Sequence, residues 1–270
     1  MATFVLIAGA GSTPWYWHLV EPLLREYGHD TIAPHLPVDD VAATFEDYAQ
    51  VVIDTIGDRR DRDDIVLVAQ SLGGYTAPLV ADRLAVRLIV MVAAMVPVPG
   101  ESAGEYWAAT GAEQARIDLA RADGRNPDDM DAMFLHDVPE AVVLDGQAHL
   151  RNQSGTPFAA PFPLAAWPDV PTRFLLCSDD RFFPADLLRR IVPERLGITP
   201  DEMEGGHLPA LAHPDELARR LHDYADGRVA RRSSDRDGRS RGIRAEGALR
   251  LLQNHSVLNR FGRSVASVTG

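Results

Sequence analysis

Three side chains in this sequence are of the types that perform nucleophilic acyl transfer: Ser71, Asp180 and His207. Ser71 lies in Ala69-Gln70-Ser71-Leu72-Gly73-Gly74, between the apolar run Ile65-Val66-Leu67-Val68 and a helix-compatible stretch from Tyr75 to Leu84. A serine between strand and helix, with small residues two before and two after it, has the nucleophile-elbow pattern. The turn is sharp and strained, so its flanks must be small. Ala69 stands where the first glycine is usual. On this window alone, a serine that caps the helix of an ordinary strand-to-helix loop explains the residues equally well. Asp180 follows the run Thr172 to Cys177 and precedes Pro184, and either Asp179 or Asp180 could serve as a cap for the next helix. His207 sits in Gly205-Gly206-His207-Leu208-Pro209, just ahead of the last helix. The chemistry of such a set is specific. A free serine hydroxyl is a poor nucleophile near neutral pH. A histidine in reach takes its proton, and a carboxylate holds the imidazole in the right tautomer.

These residues need elements that bring them together, and the sequence supplies alternating strands and helices. Strands are expected at Thr3–Ala8, Thr31–Pro34, from Ile65 to the elbow, at Val86–Ala93 and at Thr172–Cys177, with a weak edge strand between Ile198 and Glu204. Helices are expected from Trp15 through Tyr27, from Thr44 to Ile56 on the stripe Phe45, Tyr48, Val52 and Ile56, from Ala185 to Leu196, and from Pro214 to Ala225. The continuous apolar strands are of the kind buried on both faces of a parallel sheet. The expected fold is therefore α/β, with a mostly parallel central sheet flanked by helices. Alternation stops at Pro97. Helical pieces at Glu105–Ala122, Asp128–Leu135 and Pro139–Leu150, then a proline-rich connector from Pro157 to Pro171, read as a helical lid inserted at about 97–171. Ser71, Asp180 and His207 all fall at strand ends, where open α/β sheets bind ligands.

Composition narrows the function. The chain has 270 residues, room for one large α/β domain, expected at 1–226. It contains no lysine, so all 27 basic residues are arginine. From Gly227 onward ten arginines face three acidic residues, a balance of +7, and the rest then carries −19 of the net −12. The basic stretch 227–270 reads as a disordered tail. The acidic body argues against nucleic-acid binding. The N-terminal apolar run is too short to span a membrane and lacks a basic leader, so a cytoplasmic protein is expected. The one cysteine, Cys177, permits no intramolecular disulfide. Gly9 and Gly11 lack the third glycine of a dinucleotide loop, because Pro14 holds that position. No metal-ligand spacing or phosphate loop is present, and no cofactor is expected.

Residues 3–226 resemble the α/β-hydrolase superfamily. Within it they are similar to the branch of plant methylesterases, hydroxynitrile lyases and bacterial pyrethroid-type carboxylesterases. The resemblance is carried by Phe4-Val5-Leu6-Ile7, by Trp15, Trp17 and His18 followed by Pro22-Leu23-Leu24, by Gly28-His29 and by Ser71-Leu72-Gly73-Gly74. It continues with Asp180 four residues before Pro184, and with Gly206-His207 and Pro209. It implies an α/β-hydrolase fold with Ser71 as nucleophile, His207 as base and Asp180 as orienting acid. It also implies an oxyanion hole from the backbone N–H groups of Ala10 and Leu72 and no cofactor; dimers occur in this branch, so a homodimer is compatible. Trp15, Tyr75, Trp107, Phe134, Phe182 and Leu208 are the candidate walls of an apolar pocket. No arginine stands near the elbow to bind a carboxylate or phosphate. The expected partner is a small-to-medium, uncharged, mostly apolar ester.

Two departures bear on chemistry. The lyases of the branch carry a lysine beside the histidine and a threonine in the first loop. Here the corresponding residues are Gly206, Leu208 and Gly9. Gln70, where histidine is common, has no role that the sequence reveals. A hydroxynitrile lyase, and a receptor built on a hydrolase with little turnover, stand as alternatives to the esterase.

Overall fold

The computed structural model describes residues 1–227; the expected basic tail lies outside the described residues apart from Gly227. Six strands form one sheet: β1 (Thr3–Ile7), β2 (Asp30–Ile32), β3 (Ile65–Gln70), β4 (Leu88–Val92), β5 (Thr172–Cys177) and β6 (Asp201–Met203). Their order is β2-β1-β3-β4-β5-β6, and every pairing is parallel. In chain order the helices are α1 (Val20–Glu26), α2 (Phe45–Ile56), α3 (Ala77–Ala81), α4 (Tyr106–Thr110), α5 (Ala112–Ala122) and α6 (Met130–Phe134). Then come α7 (Glu140–Gly146), α8 (Thr156–Ala159), α9 (Ala185–Leu196), α10 (Pro209–Ala212) and α11 (Pro214–Ala225).

Every residue of β1, β3 and β4 is buried, which is why these strands read as unbroken apolar runs. Their side chains alternate between two cores. Val5, Ile7, Leu67, Ile89, Met91 and Phe174 pack with α2, α3 and α9 on one face. Phe4, Leu6, Val66, Val68, Val90 and Leu175 pack with α1 and α11 on the other. Each fully buried aliphatic side chain contributes about 1.5–3 kcal/mol against the entropy of ordering the chain. α2 starts at a capping box in which Thr44 and Asp47 satisfy each other's backbone N–H groups.

The strand order turns back on itself at β1. The chain passes from β1 to β2 on one side, then returns to place β3 on the other. The loops after β1 and β3 therefore diverge and leave a crevice at the carboxyl edge of the sheet. Ala10 and Ser71 stand on those two loops.

Several boundaries differ from expectation for local reasons. The helix expected from Trp15 to Tyr27 is a short 3-10 turn at Pro14–Trp17 followed by α1. The stretch expected to be one helix over Glu105–Ala122 breaks at Gly111, which takes a left-handed φ of 69° and separates α4 from α5. The elbow helix is a 3-10 turn over Ser71–Tyr75 and then the short α3. The proline-rich connector holds α8, with Pro157 at its start, where a missing N–H costs nothing. The edge strand is confined to the three residues of β6.

Candidate active site

The elbow holds Ser71 at φ 51°, in the left-handed region that costs a non-glycine residue about 1–3 kcal/mol. Neighbouring backbone enforces it. The Ser71 carbonyl accepts the Met95 N–H at 3.0 Å, and Ala93, itself at φ 43°, turns the chain off β4 to bring Met95 there. The small residues have named neighbours. A Cβ on Gly74 would lie 2.0 Å from the Met95 carbonyl oxygen, and one on Gly73 would lie 3.0 Å from that of Ile7. A Cβ on Gly9 would lie 2.9 Å from the Ser71 Cβ, so the glycine loop after β1 can close on the serine only because it has no side chain there.

The loop after β5 presents Asp180, buried to 1% exposure. Its Oδ1 accepts the N–H groups of Phe182 (2.8 Å) and Phe183 (2.9 Å), which fix the carboxylate plane. Its Oδ2 lies 2.8 Å from His207 Nδ1. A carboxylate only accepts, so Nδ1 carries the proton and Nε2 offers its lone pair to Ser71 Oγ, 2.9 Å away. The three side chains form one continuous hydrogen-bonded chain. Asp179, the competing acid, is exposed and accepts instead from Ser178 Oγ (3.0 Å) and the Gly205 N–H (3.3 Å). The structure thus brings Asp180, not Asp179, to the histidine. Phe134, Phe182 and Phe183 present their rings edge-on to the imidazole at centroid distances of 5.4, 4.9 and 5.3 Å. They keep water from its sides.

Ser71 opens into a cavity of about 150 Å³. Ala10 and Leu72, the residues expected to supply oxyanion donors, both line it beside the serine. The loop carrying Ala10 is clamped from the segment between α7 and α8. There Gln153 Oε1 accepts the Gly11 N–H at 3.1 Å, and the Arg151 N–H donates to the Gly11 carbonyl at 2.9 Å. Trp15, Trp107, Phe134, Phe182 and Leu208 also line the cavity, as expected.

Tyr75 does not. It is fully buried, stacked on Phe45 at 4.9 Å and set edge-on to Phe162 at 5.8 Å. The tight turn that starts at Ser71 carries Tyr75 into the core, and nearness in sequence misplaced it. Other wall residues were not expected: Val138 from the turn before α7, Val142 and Val143 from α7, and Met95. Gln70 also gains a role. Its Nε2 donates to the His207 carbonyl at 3.0 Å, so the residue before the serine holds the histidine turn in place.

Two other buried groups stay neutral. Burial pushes the Tyr16 phenol and the Cys177 thiol well above their ordinary values, so neither offers a second base or nucleophile at neutral pH.

The model of the Alpha/beta hydrolase family matches residues 4–220. The chain belongs to the α/β-hydrolase family. This α/β-hydrolase is 23% identical over 257 residues to methylesterase 9 of Arabidopsis thaliana, covering 84% of this chain and 99% of the relative. It is also 23% identical over 241 residues to the alpha-hydroxynitrile lyase of the same plant, covering 79% of this chain and 93% of the relative. Among solved structures it is similar to a pyrethroid hydrolase from Sphingobium faniae JZ-2, with a TM-score of 0.67 at 22% identity. That match covers 83% of this chain and 97% of the other. It shows a shared fold.

Proposed function

We propose that this α/β-hydrolase is a carboxylesterase-type serine hydrolase that acts through an acyl-enzyme on Ser71. The observation that carries the reading is the continuous Ser71–His207–Asp180 chain, 2.9 and 2.8 Å long, at the floor of a cavity with mainly apolar walls. Ser71 Oγ attacks the ester carbonyl carbon as its proton passes to His207 Nε2. Asp180 stabilises the imidazolium. The N–H groups of Ala10 and Leu72 face the developing oxyanion, each such donor being worth roughly 3–4 kcal/mol in k cat terms. The C–O bond of the ester breaks, and the alcohol leaves with the proton from His207. Water then gives its proton to His207 and attacks the acyl carbon. The acid departs, and the proton returns to Ser71.

The walls set the substrate class. Trp15, Trp107, Phe134 and Phe182 give flat apolar surface, and Val138, Val142 and Val143 give a branched aliphatic face. A small-to-medium, uncharged, mostly apolar ester matches them. We further propose a cytoplasmic enzyme, compatible with a homodimer, that acts on small molecules rather than on nucleic acid or membranes. Among the described residues no helix is long and apolar enough to cross a membrane.

A second reading, cyanohydrin cleavage, is supported by the similarity to a hydroxynitrile lyase. Against it stands the residue pair beside His207. Gly206 and Leu208 offer no cation for a cyanide leaving group, and the chain has no lysine. Hydrolysis of p-nitrophenyl butyrate, lost in Ser71→Ala, supports the esterase. Cyanide release from mandelonitrile without ester hydrolysis would replace it with the lyase. Ligand binding without turnover would replace it with a receptor.

A further inference from the structure

Besides the Asp179 contacts at Gly205, the turn that carries His207 is gripped from the elbow and from the α6–α7 turn. From the elbow, Gln70 holds the His207 carbonyl at 3.0 Å. From the helices between β4 and β5, Asp137 holds the preceding peptide: its Oδ2 accepts the Gly206 N–H at 2.6 Å. Asp137 lies in the turn between α6 and α7, its side chain only 17% exposed. The same Oδ2 is 3.4 Å from His213 Nε2, and Oδ1 is 4.0 Å from His136 Nε2. A hydrogen bond to a carboxylate is roughly twice as strong as one between neutral groups.

The local sequence leaves room for this contact. A Cβ on Gly206 would lie 2.7 Å from both Asp137 Oδ1 and His136 Nε2. A Cβ on Gly205, at φ +113°, would lie 2.4 Å from the His213 ring and 3.3 Å from Asp137 Oδ2. The paired glycines before the histidine thus admit a carboxylate as well as a turn. The acid loop is tied to the same part of the molecule. Arg181, next to Asp180, donates to the Ala132 carbonyl of α6 at 2.7 Å. α6 also supplies Phe134, whose ring faces His207.

We propose that Asp137 is a positioning residue for His207, so that docking of the α6–α7 turn over the cavity and alignment of the imidazole on Ser71 are one event. This rests on the reading of His207 as the general base. With Asp137 in place, the Gly205–Gly206 peptide is held against rotation, and Nε2 stays on the line to Ser71 Oγ. Without it, the Gly206 N–H turns to solvent and the histidine turn loses its hold on the α6–α7 side, leaving Gln70 on its carbonyl and Asp180 on its Nδ1.

The test uses the full chain with Asp137→Ala, Asp137→Asn and Gly206→Ala. Two quantities are read: kcat and KM for p-nitrophenyl acetate, and the low-field proton NMR signal of the His207 Nδ1–H. Asp137→Ala is expected to lower kcat on the order of 10- to 100-fold, because small misplacements of a catalytic group are costly. KM stays within about threefold of wild type, since the change touches the transition state rather than binding. The low-field signal broadens or disappears. Asp137→Asn keeps an acceptor for the Gly206 N–H and restores the signal and most of kcat. Gly206→Ala drives Asp137 off the peptide and reproduces the alanine phenotype, which keeps the test decisive should Asp137→Ala not fold. A folded Asp137→Ala or Gly206→Ala protein with wild-type kcat and a sharp signal would overturn the proposal. So would an asparagine variant as impaired as the alanine one. Should wild type show no Ser71-dependent hydrolysis, the esterase reading fails by itself, and the low-field signal still decides the role of Asp137.

Discussion

The floor of the cavity and its walls are held by different physics. Ser71, Asp180 and His207 are fixed by short polar contacts and by backbone that has nowhere else to go: a left-handed φ, two amides on one carboxylate, and carbonyl oxygens 2.0 and 3.0 Å from where a Cβ on Gly74 or Gly73 would stand. The walls from α6 and α7 are fixed by apolar packing and by a few tethers, such as Trp15 Nε1 to Asp145 at 3.0 Å and Arg181 to Ala132. Polar geometry tolerates almost no displacement, whereas apolar packing tolerates volume-conserving change. It follows that a change in the floor should alter the rate of every ester, and a change in the walls should alter which ester is preferred.

The sharpest way to break this contrast is at the acid. Asp180→Asn should lower kcat on the order of 10⁴-fold by stabilising the wrong tautomer of His207. Asp179→Asn should stay within about threefold of wild type, since Asp179 is exposed, the imidazole is held by Asp180, and asparagine keeps an acceptor for the Gly205 N–H. Steady-state kinetics on p-nitrophenyl butyrate checks both, and equal losses would collapse the distinction. Next in size is Gly74→Ala. Its Cβ meets a backbone oxygen, not a side chain that can swing aside, so the melting temperature should fall by roughly 6–12 °C. A variant that melts with wild type would show that the elbow relaxes more easily than its contacts imply. In the walls, Val142→Phe should lower kcat/KM for an eight-carbon acyl ester roughly tenfold or more. The acetate ester should stay within about threefold, because one filled subsite costs only a few kcal/mol. Equal losses on both esters would place Val142 in the floor's category.

The smallest effect concerns a histidine outside the site. His29 accepts the Ala2 N–H on Nδ1 and meets His222 Nδ1 at 2.9 Å, and burial lowers its pKa from the ordinary 6.5. A lowered value in the folded state means that the unfolded chain takes up the proton first. This contribution to stability is present above pH 6.5 and is lost as pH falls through the lower folded value. Melting temperature measured from pH 8 to pH 5 should therefore fall more steeply in wild type than in His29→Gln. Parallel slopes would assign the acid sensitivity to other groups.

The same contrast decides what could be read in the sequence. Strands β1, β3 and β4 were legible because burial on both faces makes them apolar runs, and β5 because its buried part, Phe174 to Cys177, is apolar throughout. Ser71, Asp180 and His207 were legible because strand ends place them, and the resemblance to a known branch agreed with the order. Tyr75 was misread because the 3-10 turn after Ser71 carries it away from the cavity, which a linear distance of four residues does not convey. Gln70 and Asp137 gave no signal because each binds a backbone group 137 or 69 residues away. No side-chain pattern marks such a partner. The break at Gly111 was illegible for a related reason: glycine permits a left-handed turn within a helix-like stretch but does not require it.

The central claim is that Ser71 is the acyl-transfer nucleophile activated by His207. Reaction of the full chain with diethyl p-nitrophenyl phosphate, followed by intact-mass measurement and peptide mapping, tests it most directly. The account predicts one diethyl phosphoryl adduct per chain, on Ser71, absent in Ser71→Ala and strongly slowed in His207→Ala. An adduct on another residue, or ester hydrolysis that persists in Ser71→Ala, would contradict it.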